Sequence, residues 1–342
     1  MIDTAKVYIH ITDKMYERLH DSEELEAKGI KIYGNKCFLK HPHGMRNPAV
    51  NIQMANRLFC IESSLPKLLQ GHNVFGTNRL HFMCLAVTKL IYQHLGLEFT
   101  PSERASVKKR RFRLGRLDIT CSFRLASQNE VAAALEAVYE QLRAEGWGWA
   151  AYGVDDFESV NKQPASARII DKFYNKYVEL QTHEIPVGVA GRERVLELAQ
   201  RLLRFEVVLR GKELKRLGLD YADKWSPALV QQFMMQRLGK LNLQGTIKRS
   251  VAAAELDGLN RCTNMFHGLW SQGSNLRPFR RYAPLLRARQ ILLKHGVDIF
   301  RRAGSGCEIA LDELLTQDNA YFRAPKSMTR RGLIFGIRSC RR

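Results

Sequence analysis

Apolar and polar positions recur along this chain with two periods, and each period marks a different kind of element. Residues 5–10, Ala5-Lys-Val-Tyr-Ile-His10, alternate with the period of a strand, and residues 14–27 have the spacing of a polar amphipathic helix that Gly29 ends. Further strands are expected at 50–54 and 58–63. Gly71 and Gly76 then interrupt the pattern, so residues 65–76 read as a loop or short helix exposing polar groups. A helix follows over 78–95 with Asn78 as its N-cap and Leu80, Met83, Leu85, Ala86, Leu90 and Ile91 as its apolar positions. His81 and His94 fall on it without partners at metal-binding spacing, so they read as boundary histidines.

The clearest strand comes next. Leu117, Ile119, Cys121, Phe123 and Leu125 share one face, while Arg116, Asp118, Thr120 and Ser122 share the other. Aspartate is disfavoured inside strands, which points to a need for a carboxylate at Asp118. Residues 129–145 predict a helix stopped by Gly146. Beyond a stretch without clear period, residues 167–174 read as a strand and 177–184 as the start of a helix that Pro186 and Gly188 end. Another helix is expected over 192–203. In the strand over residues 204–210, Phe205, Val207 and Leu209 face one way and Arg204, Glu206, Val208 and Arg210 the other. From about residue 221 the pattern turns helical, including an arginine-rich helix over 280–296. The expected fold is α+β: a mainly antiparallel central sheet with flanking helices over 1–220, then a helical basic domain over 221–342.

Charge sharpens this picture. The 342 residues are 45% hydrophobic, enough for a real core, and carry a formal net charge of +20. Such an excess suits a polyanion, and nucleic acid is the better fit. No apolar run is long enough to span a bilayer and the first residues lack the form of a signal peptide, so a cytoplasmic protein is expected. Cys37, Cys60, Cys84, Cys121, Cys262, Cys307 and Cys340 are scattered without a Cys-x-x-Cys pair, which predicts reduced thiols and no zinc site. Basic residues gather at Lys108, Lys109, Arg110, Arg111, Arg113 and Arg116. They recur at Arg280, Arg281, Arg287 and Arg289 and in a tail with Arg330, Arg331, Arg338, Arg341 and Arg342; phosphate contacts and solvated faces are both open readings.

Residues 167–183 concentrate reactive groups: the Tyr174 phenol, the Lys176 ammonium, the Glu179 carboxylate and the His183 imidazole. An oxygen nucleophile, a cation and a carboxylate suit attack on a phosphodiester, although strand-to-helix junctions also carry such residues for structural reasons.

Four blocks, taken together and in order, resemble the gene II replication initiators of filamentous phages and their rolling-circle relatives. They are Gln70-Gly-His-Asn-Val-Phe-Gly76, Arg116-Leu-Asp-Ile-Thr120, Tyr174-Asn-Lys-Tyr-Val-Glu-Leu-Gln181, and Leu203-Arg-Phe-Glu206 followed by Leu214-Lys-Arg-Leu-Gly218. The resemblance is good over residues 60–220. It implies a site-specific, metal-dependent endonuclease that nicks one strand of the double-stranded origin and rejoins the displaced single strand. Tyr174, not Tyr177, would be the nucleophile. Lys176 would assist it or hold the DNA backbone. Asp118, Glu179 and Glu206 would bind magnesium or manganese, and no nucleotide cofactor would be needed. His72 is open to three roles, as metal ligand, phosphate contact or loop pin, and His183 stands as a weaker ligand candidate. The usual His-hydrophobic-His metal pair of rolling-circle nucleases is absent. Host helicase and replication machinery, and an oligomer on DNA, are the implied partners. The competing expectations are a non-catalytic DNA-binding regulator, and a basic protein coating single-stranded DNA that would expose many aromatics.

Overall fold

The computed structural model describes residues 1–11, 31–33, 36–39, 50–55, 58–94, 100–109, 112–144, 149–152, 158–162, 167–243, 246–247, 259–272, 276–294, 299–300 and 309–321, with a few isolated positions between them. The helix expected over 14–27, Arg110, Arg111 and the arginine tail lie outside the described residues.

Strands β1 (Ile2–His10), β2 (Lys31–Tyr33), β3 (Lys36–Leu39), β4 (Val50–Ala55) and β5 (Leu58–Ser64) come first, then helices α1 (Leu65–Gln70), α2 (Leu80–His94) and α3 (Pro101–Lys108). The long strand β6 (Arg113–Arg124) leads to α4 (Gln128–Ala144), followed by β7 (Trp149–Tyr152), β8 (Ser159–Lys162), β9 (Ile169–Asn175), α5 (Lys176–Thr182), α6 (Arg192–Ala199), β10 (Leu202–Arg210) and α7 (Gly211–Arg216). Beyond a 3-10 turn at Ala222–Lys224 lie α8 (Pro227–Gly239), β11 (Thr246–Ile247), α9 (Arg261–Ser271), α10 (Ala283–Lys294), β12 (Ile309–Ala310), α11 (Leu311–Leu314) and β13 (Ala320–Tyr321). The main sheet runs β2-β3-β4-β5-β1-β6-β10-β9-β8-β7, with β13 also pairing with β6. Its described pairings are antiparallel. The α+β expectation holds.

One face of the sheet is the core. Leu117, Ile119, Cys121 and Phe123 of β6 and Phe205, Val207 and Leu209 of β10 are buried together, and Phe173 of β9 stacks on Phe205 with ring centroids 4.6 Å apart. Helix α4 packs on β9 and β10, and α8 packs on β6. The other face keeps the polar residues, because a side-chain period of two commits alternate residues to opposite sides. Register then decides which polar residues meet. Glu206 lies opposite Thr120 on one side and Lys172 on the other, and Arg204 lies opposite Ser122 and Tyr174.

Several expectations shift. The helix expected over 192–203 stops at Ala199, because Leu202 and Leu203 pair with Arg124 and Phe123 and are buried in the sheet. Residues 280–282 form a turn, and the helix begins at Ala283, where Pro284 is tolerated in a first turn. Helix α3, which periodicity does not predict, starts with Pro101 at a position that needs no backbone donor. The loop after α1 is buried instead of exposed: His72, Asn73, Val74 and Phe75 are all at most 4% accessible. Gly71 closes α1 at φ 80, a left-handed conformation that glycine adopts without steric cost.

The expected domain division at residue 220 does not mark the edge of the main core. Trp225, Val230, Met234, Leu238, Leu241 and Leu243 belong to the same cluster as the sheet, as do Leu311, Leu314 and Leu315. A separate cluster joins Phe266 and Trp270 of α9 to Leu285, Ala288 and Leu292 of α10. Met234→Ala should therefore destabilise the sheet itself, by about 2–5 kcal/mol for truncating a fully buried methionine. Urea unfolding followed by near-ultraviolet dichroism should show one transition at a lower midpoint; an unshifted sheet transition would separate α8 from the core.

Candidate functional site

The polar face of β6, β9 and β10 gathers the groups that the sequence singles out, around a cation it does not. Arg204 is fully buried, its Nε donating to Ser122 Oγ at 3.1 Å and its terminal nitrogens to the carbonyls of Asn73, at 2.7 Å, and Val74. A buried guanidinium is tolerated only when its donors are met. Here they fasten the Gly71–Gly76 loop to the sheet. On the same loop, Gln70 Nε2 donates to the carbonyls of His72, at 3.1 Å, and Phe75, at 2.6 Å. Fully buried His72 sits with Nδ1 3.4 Å from that amide, which favours the loop-pinning role.

Tyr174 is the penultimate residue of β9, and its half-buried ring lies 6.0 Å from the Arg204 guanidinium and 5.9 Å from the Lys176 ammonium. Its hydroxyl donates to Glu206 Oε2 at 3.0 Å, and Lys172 Nζ donates to the other oxygen at 3.2 Å. Burial, and then the Glu206 charge, push the phenol well above its ordinary value. Asn175 caps α5 by accepting from the backbone N–H groups of Tyr177 and Val178, so the chain turns sharply from strand to helix one residue beyond the tyrosine.

Lys176, in the first turn of α5, is fully buried. It donates to Asn73 Oδ1 at 2.7 Å and to Glu179, one helical turn on. Burial pulls its pKa down to about 8, against the opposing pull of Glu179. Burial also works against the Glu179 charge, but Lys176 and Lys67, the latter 3.5 Å away, outweigh it and hold the carboxyl at about 2. Asn73 completes the network by donating to Asp3 Oδ2 at 2.8 Å, while Ser64 donates to Asp3 Oδ1 at 2.6 Å.

Asp118 is 3% accessible and receives two hydrogen bonds from Arg116, at 2.8 and 2.7 Å. Burial raises its pKa to about 7; Arg116 opposes the rise and the Glu206 charge adds to it. Arg116 also lies 3.6 Å from Glu62, which pairs with Lys6 at 3.2 Å. The three acids expected to hold a metal thus divide. Asp118 and Glu206 share the face and feel each other's charge, whereas Glu179 is held beneath the loop by two lysines. Among the described residues, no three His, Cys, Asp or Glu side chains are grouped to hold a metal ion. As hard oxygen donors crowding like charge, Asp118 and Glu206 do suit a divalent cation, as a pair.

His183 caps the end of α5 and is exposed, apart from this network. Of the basic run, Lys108 ends α3, Lys109 is exposed in the following turn, and Arg113 is exposed at the start of β6. Arg280, Arg281 and Arg287 are exposed before and on α10, while the Arg289 guanidinium lies over the Phe300 ring at 4.7 Å. Arg204, Lys172, Asn73 and Asp3 are the site residues that sequence reasoning passed over. Strand alternation already put Arg204 beside Glu206, and Asn73 stands within the glycine-bounded block, but their joint burial appears only when the loop is folded onto the sheet.

These features define an α+β protein whose antiparallel sheet carries a phenol, carboxylates and buried cations on one face. The family model for the N-terminal region of the phage replication-associated protein, the gene II protein, matches residues 1–228, and the chain belongs to that family. It is similar to the replication-associated gene II protein of Enterobacteria phage I2-2, 24% identical over 244 residues that cover 70% of this chain and 69% of that protein. Among solved structures, it is similar to a rolling circle replication initiator protein from Geobacillus stearothermophilus, at 13% identity and a TM-score of 0.33, over 69% of this chain and 83% of that one. Among the described residues, no helix is long and apolar enough to cross a membrane.

The raised Asp118 pKa fixes a pH dependence. A carboxyl whose folded pKa lies above its unfolded value is held protonated by folding, so its ionisation erodes stability as pH rises from 3.8 to about 7. Asp118→Asn should remove that loss, so its unfolding free energy should fall less over this window than the parent's. Equal slopes in denaturant titrations at several pH values would exclude the burial effect.

Proposed function

We propose that this chain starts rolling-circle replication of phage DNA by nicking one strand of a double-stranded origin and later rejoining the displaced strand, with Tyr174 as the nucleophile. The hydrogen bond from Tyr174 to Glu206, on a face backed by Lys172, Lys176 and Arg204, is the observation that carries this reading. Burial disfavours a free phenolate, so the proton passes to Glu206 Oε2 as the phenolic oxygen attacks phosphorus. A bond forms from Tyr174 Oη to phosphorus and the bond to the 3′-oxygen breaks. That oxygen takes a proton from solvent to leave as the 3′-hydroxyl, and the other DNA end is left as a 5′-phosphotyrosine. Lys172 and Lys176 offset the charge on the phosphate. Rejoining reverses the step: a 3′-hydroxyl attacks the phosphotyrosine and the tyrosine leaves with a proton. Because the phosphodiester energy is kept in the covalent link, no nucleotide cofactor is consumed.

Asp118 and Glu206 would hold a magnesium or manganese ion. Such an ion supplies Lewis-acid stabilisation of charge on the scissile phosphate. The exposed Arg280, Arg281 and Arg287 would grip backbone phosphates beside the origin. A host helicase unwinding behind the nick, and several copies on one origin, complete the proposed partnership.

Incubating supercoiled origin DNA with the protein and Mg²⁺ should give relaxed circles carrying covalently bound protein. Tyr174→Phe should abolish both while still binding the DNA, and Tyr177→Phe should leave both intact; nicking by Tyr174→Phe would remove the nucleophile assignment. Binding without nicking by the unaltered protein would instead make it a binding-only regulator. Glu206→Gln should slow nicking by roughly 10²–10⁴-fold, the usual span for a lost general base. Chelation by EDTA should stop the reaction, and unchanged cleavage would rule out the ion.

A further inference from the structure

The polar sheet face has a second chemical focus, at the end away from Tyr174. A cavity of about 410 Å³ is lined by Tyr8 and Leu58 of β1 and β5, Arg113, Leu114 and Gly115 of β6, and Gly211, Lys212 and Lys215 at and after the end of β10. An irregularity in pairing makes room for it: the β1–β6 register passes from Lys6 opposite Arg116 to Val7 opposite Leu114, leaving Gly115 out of the ladder. The Tyr8 ring packs directly on Gly115, where a Cβ would lie 2.5 Å from it and displace the ring. The two chain segments meet closely at the other wall as well, a Cβ on Gly211 lying 3.0 Å from the Gly115 carbonyl oxygen. The outcome is a recess with a half-buried aromatic ring on one side and exposed ammonium and guanidinium groups at its rim. Among the described residues, Arg113, Lys212 and Lys215 form no ion pair, whereas Glu213 between the lysines is turned to Arg216.

We infer that this recess is a binding subsite for one nucleotide of single-stranded DNA, with the base stacked on Tyr8 and the adjoining phosphates on Arg113, Lys212 and Lys215. An aromatic face beside a cluster of unpaired cations is the chemistry that holds unpaired bases without reading their edges. The geometry links the subsite to the reaction. From Arg204, opposite Tyr174, to Gly211 is seven residues of β10, roughly 20–25 Å at the rise of a strand. A strand held in the recess therefore crosses Arg210 and the Arg116–Asp118 pair to reach the tyrosine, a span of a few nucleotides. The inference rests on the proposed handling of DNA by this face, but not on which residue is the nucleophile.

Fluorescence anisotropy with a labelled dT12 oligonucleotide, at several salt concentrations and on the Tyr174→Phe protein, tests it without any cleavage. The Lys212→Ala/Lys215→Ala variant, altered at exposed positions that leave the core untouched, should bind roughly ten-fold more weakly. Its log–log salt slope should be about 1.4 shallower, near 0.7 for each single-strand phosphate that is no longer neutralised. Tyr8→Leu should weaken binding by roughly ten-fold with an unchanged slope, and Tyr8→Phe, which keeps the stacking face, should bind like the parent. Parental affinity and slope in both the lysine and the leucine variants would overturn the subsite, while leaving the nicking assay free to succeed or fail independently. Tyr8→Phe binding as weakly as Tyr8→Leu would likewise overturn the stacking interaction.

Discussion

One buried cation holds the site together. Arg204 lies in the middle of the sheet with no access to solvent, and its guanidinium satisfies two backbone carbonyls of the Gly71–Gly76 loop and a serine on the neighbouring strand. An arginine suits this place because its planar fork can meet several fixed acceptors at once, which a lysine cannot. Once the loop is fastened, Asn73 has both ends of its side-chain amide engaged, one by Lys176 and the other by Asp3. Lys176 in turn holds Glu179, so helix α5 is tied to the same loop. The phenol of Tyr174 then sits beside two buried cations, Arg204 fixed by backbone carbonyls and Lys176 fixed by the Asn73 and Glu179 side chains.

The electrostatics of the face follow from where each charge has its partner. Glu179 is outnumbered by lysines and stays ionised, whereas burial and the nearby Glu206 disfavour the charge on Asp118 and one arginine only partly offsets them. Glu206 receives hydrogen bonds from both a phenol and an ammonium. The face therefore separates into a region of settled ion pairs under the loop and a strained acidic region along β6 and β10. A phosphodiester backbone would meet the first as a positive floor. The acidic region, in turn, would gain from a cation.

Much of this was readable in the sequence because β6 and β10 are amphipathic strands, in which alternation alone assigns the face of Asp118, Arg204 and Glu206. The junction at Tyr174 was readable too, from the change of period between residues 167–174 and 177–184; the Asn175 cap that makes the turn is visible only in the structure. Register, in contrast, is a pairing property: that Glu206 lies beside Lys172 and Arg204 beside Tyr174 depends on which strands are neighbours. The loop at His72 reads as exposed because glycines and polar residues are the signature of turns, and it is the tertiary partners that bury it: Arg204 takes its carbonyls, and Val74 and Phe75 pack against Leu180, Ile185 and Leu202. The family resemblance implies Glu179 as a metal ligand, and the i to i+3 geometry of the helix pairs it with Lys176. The continuation of the core past residue 220 was hidden because α8 has the same local pattern whether it packs on the sheet or stands in a separate unit.

The bond between Arg204 and the loop also joins residues 131 positions apart in the chain. Closing a segment of that length carries an entropic cost that the contact must offset. No stretch of this protein shorter than that interval can contain the constellation, and a translation product beginning beyond Val74 would keep Tyr174 and Glu206 but leave the guanidinium with Ser122 and without its two carbonyl acceptors. In such a product Tyr174 would keep its strand pairing but lack the fastened loop beside it, so the presence of Tyr174 in a shortened chain does not by itself restore the constellation.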